Sequence, residues 1–207
     1  MKLYYFPLST YSQKAMIAFN EKGISYEPIV VQLLEPAERA EFEKIYPIGK
    51  VPFLQANDRP VPESTSIIEY LEDEFPGTPR MIPAGNGDAP RQVRFMDRMT
   101  DLYFTEPLSE LVSQQLGLRP KDDDKAARAR KYIALTYAHW DQRLATRKWL
   151  CGDDFSMAIA RRFPGCSMRN PCCRSRRILT SWPIGSARSS GLHTPRCAPS
   201  SNRCGTR

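Results

Sequence analysis

The 207-residue chain has no run of about 18 apolar residues, and Met1-Lys2-Leu3-Tyr4 passes straight into strand-forming residues without a signal-peptide pattern. A membrane-spanning helix and a secretion signal are therefore not expected, and a cytoplasmic protein is. Histidine is scarce, with two in the chain, and the six cysteines never fall into paired C-x-x-C units, so no metal site is expected. A disulfide framework would need an oxidising compartment that nothing else in the sequence indicates. With 41% hydrophobic and 10% aromatic residues, collagen, full disorder and a coiled-coil rod are excluded, and the length allows one large domain or two small ones.

The most telling absence is local. From Ile159 to Arg207 there is no lysine and no acid, while ten of the chain's 30 basic residues lie there as arginine. The first 158 residues hold the other 20 against all 23 acids, so the formal charge of +7 belongs to one end. Five of the six cysteines, at 166, 172, 173, 197 and 204, share that end, and Cys151 is alone in the body. Two compositions thus occupy one chain, and the overall charge is poor support for nucleic-acid binding.

In the body, Leu3–Phe6 reads as a buried strand and Ser12–Lys22 as a helix with Ala15, Met16, Ala18 and Phe19 at helical spacing, stopped by Gly23. Tyr26–Val31 is a second strand. Pro36 to about Tyr46 reads as a polar helix, and Val51–Leu54, the Asn57-Asp58 turn and Pro60-Val61 make a hairpin. Ile67, Ile68, Leu71 and Phe75 then give a helix, with Ser66 and Glu69 spaced as a capping box. The order β-α-β-α-β-β-α is that of a thioredoxin-like domain over residues 1–76. A Pro/Gly-rich linker spans 77–87. Over 88–158, Asp88 as N-cap opens a long helix with Val93, Met96, Met99 and Tyr103 on one face and a kink at Pro107. A second helix from about Asp124 carries Ile133, Tyr137, Trp140 and Leu144, so the fold class is α/β followed by all-α.

Four segments carry a family resemblance: Tyr4-Tyr5-Phe6-Pro7-Leu8-Ser9-Thr10-Tyr11-Ser12, Glu21-Lys22-Gly23-Ile24, Tyr46-Pro47-Ile48-Gly49-Lys50-Val51-Pro52, and Pro62-Glu63-Ser64-Thr65-Ser66-Ile67-Ile68-Glu69-Tyr70-Leu71. In this order and spacing the first 158 residues resemble a glutathione S-transferase, bacterial and serine-type-like. The resemblance implies a thioredoxin-like N-terminal domain, an all-helical C-terminal domain, glutathione as co-substrate, a small electrophile as second substrate, a role in detoxification and a homodimer.

A thiol has a pKa of about 8.5 and the thiolate is the nucleophile, so a transferase must favour the ionised form with a hydroxyl donor near a helix N-terminus. Ser9 corresponds to the donor of the serine-type classes. Tyr5 matches the position used in the tyrosine-type classes, and Ser12 or no dedicated donor also stands open. Without glutathione, Ser9 reads as a plain helix cap and Tyr5 as a core aromatic. Lys50-Val51-Pro52 resembles the family's cis-proline segment, whose backbone would pair with the cysteinyl part of glutathione. Glu63-Ser64 at a helix start would meet the γ-glutamyl ammonium and carboxylate, although an acid with a serine there is also ordinary capping. No cysteine lies between Ser9 and Ser12, which argues against thiol–disulfide exchange. His139, the acids Asp122–Asp124 and Cys151 read as helix-face, helix-start and lone structural residues.

At Ser156-Met157-Ala158 the resemblance predicts a Ser-x-x-Asp helix start, and Ile159 stands where the acid belongs. Adding back one base at Ile159 gives Asp-Cys-Ala there. In that frame Thr180–Ser186 can encode Asn-Leu-Val-Ala-Tyr-Trp-Gln, the alanine being forced by the Trp182 codon. Residues 159–207 are thus expected to be an out-of-frame, disordered tail, with a genuine basic RNA-binding arm as the alternative. The alternative to an enzyme is a non-catalytic glutathione-binding or protein-interaction module of the same fold.

Overall fold

The computed structural model describes residues 1–158, and the expectations for 159–207 lie outside the described residues. Four strands, β1 (Lys2–Tyr5), β2 (Glu27–Val30), β3 (Phe53–Ala56) and β4 (Arg59–Pro62), form one sheet in the order β2-β1-β3-β4. β1 pairs parallel with β2 and antiparallel with β3, and β3 pairs antiparallel with β4 across the Asn57-Asp58 turn. Parallel pairing of β1 with β2 needs a crossover, which α1 (Thr10–Lys22) supplies.

Side chains alternate across the sheet, so Leu3 and Leu54 join one core while Tyr4 and Phe53 join another. The first core is closed by Ala15, Ala18 and Phe19 of α1 and by Ile67, Ile68 and Leu71 of α3 (Ser64–Glu74). The second is closed by Phe42 of α2 (Pro36–Ile45), whose ring stacks on Tyr4 at 5.6 Å. The capping details differ from the sequence reading. Ser66 lies inside α3, and Glu69 instead reaches Arg94 at 2.8 Å, because the helix begins two residues earlier. Likewise Asp88 is the first residue of α4 (Asp88–Thr100), with Gly87 as the cap.

The expected kink of the long helix is a π-helical segment, Asp101–Thr105, between α4 and α5 (Glu106–Gln115). Its cause lies in the covalent chemistry of Pro107, which has no N–H to offer the Tyr103 carbonyl four residues back. That carbonyl instead accepts from the Thr136 hydroxyl at 3.1 Å, from α6 (Asp123–Leu144). Asp122 caps α6 through Lys125 N. Met96, Phe104, Tyr137, Trp140 and Leu144 make the helical core, while Val93 packs into the sheet's first core.

The residues after α3 are held to the first domain by a buried ion group. Lys22 Nζ, with its side chain 0% exposed, lies 2.8 Å from Glu72 Oε1 and 3.0 Å from the Pro79 carbonyl, and Met81 N donates to the same carboxylate. Breaking such a pair leaves a charge buried without its partner, so Lys22→Met should destabilise the fold by about 3–5 kcal/mol. Urea unfolding measures this, and Lys22→Met with Glu72→Met should recover most of the loss. A midpoint unmoved by the single substitution would show that Arg80, 3.3 Å from the other carboxylate oxygen, suffices.

Candidate active site

The loop between β1 and α1 sorts its hydroxyls into different tasks. Ser9, half-buried at φ −77° and ψ 117°, is the N-cap of α1 and accepts from Ser12 N at 3.2 Å. Its own proton has no acceptor among the described residues, so the cap fixes the oxygen and leaves the O–H able to donate outward. Ser12 is fully buried and accepts from Phe6 N at 3.3 Å, which ties it to the loop. Tyr5 packs against the first core beside Ile24 and Tyr26.

Residues 46–52 approach from the other side of the sheet. Gly49 turns the chain at φ +64°, a conformation that residues with a side chain rarely adopt, and a Cβ there would oblige the exposed Glu43 side chain, 2.8 Å away, to move. The Val51–Pro52 bond is cis, and Val51 makes no backbone hydrogen bond to another described residue. Glu63 precedes α3 at φ 68°, an uncommon conformation for a residue with a side chain, and makes no capping bond. Ordinary capping therefore does not account for it. Backbone held this way marks candidate ligand clamps. Ser64 behind it is buried.

These segments meet in a cleft of about 210 Å³, lined by Lys50, Val51, Pro52 and Glu63 on one side and Arg98, Asp101, Leu102 and Glu106 on the other, with Tyr11 between. Ser9 and Ser64 sit at the adjoining helix starts and do not line it. Beneath it a hollow of about 40 Å³ is lined by Thr10, Tyr11, Lys14, Asp97 and Asp101 among others. Lys14 Nζ there lies 2.5 Å from Asp97, 3.0 Å from Asp101 and 3.0 Å from the Thr65 hydroxyl, which itself donates to Asp97 at 2.7 Å. Burial holds the Asp101 carboxyl above its ordinary range, against the pull of Lys14. One buried cation thus fastens α1, α3 and α4 around the site.

Sequence reasoning missed Tyr11, Lys14, Asp97 and Asp101. A signal existed for three of them: Lys14 precedes Ile17 and Ala18 on a buried face, and Asp97 and Asp101 continue Val93 at steps of four. The Cys151 thiol is pushed up by burial, which suits a structural cysteine rather than a nucleophile. No group of three or more His, Cys, Asp or Glu that could hold a metal occurs among the described residues, nor any helix long and apolar enough to cross a membrane.

Residues 3–79 match the family model described as glutathione S-transferase, N-terminal domain. Through this domain the chain is similar to the glutathione S-transferase family. A zeta-class glutathione S-transferase from Euphorbia esula is 29% identical over 162 residues, covering 76% of this chain and 71% of the relative. Protein LigF of Sphingobium sp. is 33% identical over 105 residues, half of this chain and 41% of the relative. Among solved structures, BphK, a bacterial transferase, is similar at 25% identity with a TM-score of 0.66, covering 76% of this chain and 77% of that one. The maleyl pyruvate isomerase of the zeta class is similar at 27% identity and a TM-score of 0.62, with the same coverage. The chain therefore has the thioredoxin-like N-terminal domain and helical C-terminal domain of the solved structures it is similar to.

Proposed function

We propose that the enzyme conjugates the glutathione thiolate to small electrophilic substrates, as a cytoplasmic homodimer acting in detoxification. The observation that carries the reading is the cleft itself, in which Lys50, Val51, Pro52 and Glu63 from two separate segments face a wall of helical residues. In this reading the N-terminal domain is residues 1–76, the linker 77–87 and the helical domain 88–158, and residues 159–207 are read out of frame.

Each part has a physical task. The Ser9 hydroxyl donates to the sulfur at the positive end of α1, so the thiolate is favoured over the thiol. Val51 offers its free N–H and C=O to the cysteinyl backbone as a neighbouring strand would. Ser64 and the first N–H groups of α3 receive the γ-glutamyl carboxylate, Glu63 faces the ammonium, and Lys50 stands by the remaining carboxylate. The residues on α4 and the π segment form the electrophile's wall. Phe95, exposed on α4, suits the surface of a second copy.

A glutathione-affinity column with a conjugation assay tests the reading, since retention without turnover favours a binding module. Glu63→Ala with Ser64→Ala should weaken glutathione by about 1.5–3 kcal/mol per charged hydrogen bond lost, read by calorimetry. Unchanged affinity in that double variant would mean that the start of α3 serves the fold alone.

A further inference from the structure

The face of the sheet covered by α2 carries a hollow that the conjugation reading does not use. It lies between α2 and β2 and has a volume of about 380 Å³, within the range of small-molecule sites. We propose that it binds a lipophilic cation, a planar aromatic compound with a fixed positive charge, at a place separate from the glutathione cleft. The two share no lining residue. The inference rests on the N-terminal domain alone and stands whether or not the conjugation reading does.

The hollow exists because α2 covers the sheet with one side chain. Phe42 is the one buried residue of α2, and its ring packs on Tyr4 of β1 and Phe53 of β3, so the stretch beside β2 stays open. The floor is therefore aromatic and aliphatic. Tyr4 and Phe42 stack with their planes 29° apart, Ile29 and Val31 lie along β2, and Ile45 stands exposed at the rim. Covering such a surface with a flat apolar ring removes it from water.

Charge selects the sign. Three charged side chains line the hollow, Glu38, Glu41 and Lys44, all from α2, while β1 and β2 add none. Lys44 lies 2.5 Å from Glu41, and Arg39 is taken by Glu43, which leaves Glu38 without an ion pair among the described residues. A cation beside Glu38 is also drawn to the face of the Tyr4 ring, whereas an anion meets a net negative wall. A peptide strand is a poor occupant. Glu27 N and Val31 N donate to β1, so Pro28 and Val30 turn to the free edge of the sheet, and Pro28 has no N–H to offer.

Thioflavin T, a planar benzothiazolium cation, is the probe, titrated by calorimetry into the full-length protein in whichever reading frame after Ala158 gives soluble material. One molecule should bind per chain, and its uncharged benzothiazole analogue should bind more weakly. Glu38→Gln should weaken the cation by about three- to fivefold, the scale of one exposed charge pair, and leave the neutral analogue unchanged. Ile45→Arg, at an exposed rim position, should abolish binding, and Leu102→Arg, which puts the same charge into the glutathione cleft, should not alter it. No binding by the wild-type protein, equal affinity for the two dyes, or loss in Leu102→Arg rather than Ile45→Arg would each overturn the proposal. A fall in native mass for Ile45→Arg would overturn it too, by giving the groove to a second copy of the chain.

Discussion

Inserting one base before the Ile159 codon is expected to turn an insoluble or weakly active 207-residue product into a soluble, active transferase. The helical core among the described residues ends at Leu150 and Ala158, and the next helix should begin where Ser156 stands. Among the described residues Ser156 Oγ is buried with only the weakly polar Cys151 thiol beside it. A buried hydroxyl left unpaired costs about 1–3 kcal/mol, and the N–H groups of a following helix would satisfy it. The acid that completes this helix start appears only in the restored frame.

The apolar surface points the same way, with a correction. Of the eight residues on the two apolar faces read from the sequence, Val93, Met96, Tyr137, Trp140 and Leu144 are already buried, because Met96 packs in one core with Tyr137, Trp140 and Leu144 and Val93 meets the N-terminal domain. Phe95, Leu102, Tyr103, Val112, Tyr132 and Leu135 are among those left exposed on the helices of the second domain. Burying one such side chain is worth about 1.5–3 kcal/mol, and a domain is stable by only about 5–15 kcal/mol. Residues 159–207 as written offer no apolar helical stripe to help. Expressing both forms side by side decides the matter: a soluble, monodisperse, active product from the unmodified gene would make the arginine-rich segment a genuine part of the enzyme.

Ser9→Ala should raise the pKa of bound glutathione and lower turnover by about 10²-fold, with glutathione affinity little changed. The hydroxyl stabilises the charged sulfur more than the neutral one, so its loss is felt in the thiolate fraction at neutral pH and shrinks at high pH. Capping is lost as well, but Ser9→Gly replaces a cap at a cost of only a few tenths of a kcal/mol. If Ser9→Gly keeps full turnover, the serine is a cap and nothing more. Tyr5→Phe should do little, because that ring is packed on the core beside Tyr26. A thiolate signal lost in Tyr5→Phe and retained in Ser9→Ala would reverse the two roles.

Much of this was legible in the chain because it is local. Gly23 at φ 65° ends α1, Asn57 and Asp58 turn the hairpin, and the apolar spacing of Ile67, Ile68 and Leu71 places α3 on the sheet. The four motif segments also carried Lys50, Val51, Pro52 and Glu63 into one cleft, since each sits at a strand or helix end whose place follows from strand order. Helix caps were the weaker part, because Ser66 and Asp88 have the right chemistry for a cap and only the backbone decides which residue stands first.

What the sequence determined by itself is the element order, the family resemblance and the break in composition at Ile159, all of which depend on neighbours along the chain. Tertiary structure alone decided which hydroxyl of the first loop does what. In the sequence Ser9 and Ser12 both stand open as the donor and Tyr11 is not singled out, yet Ser9 caps, Ser12 is buried under Phe6 N and Tyr11 lines the cleft. It also decided that Lys14 is held by Asp97 and Asp101, residues more than eighty positions away. Such a buried cation is tolerable only when folding brings its counter-charges to it, and no local pattern encodes that meeting.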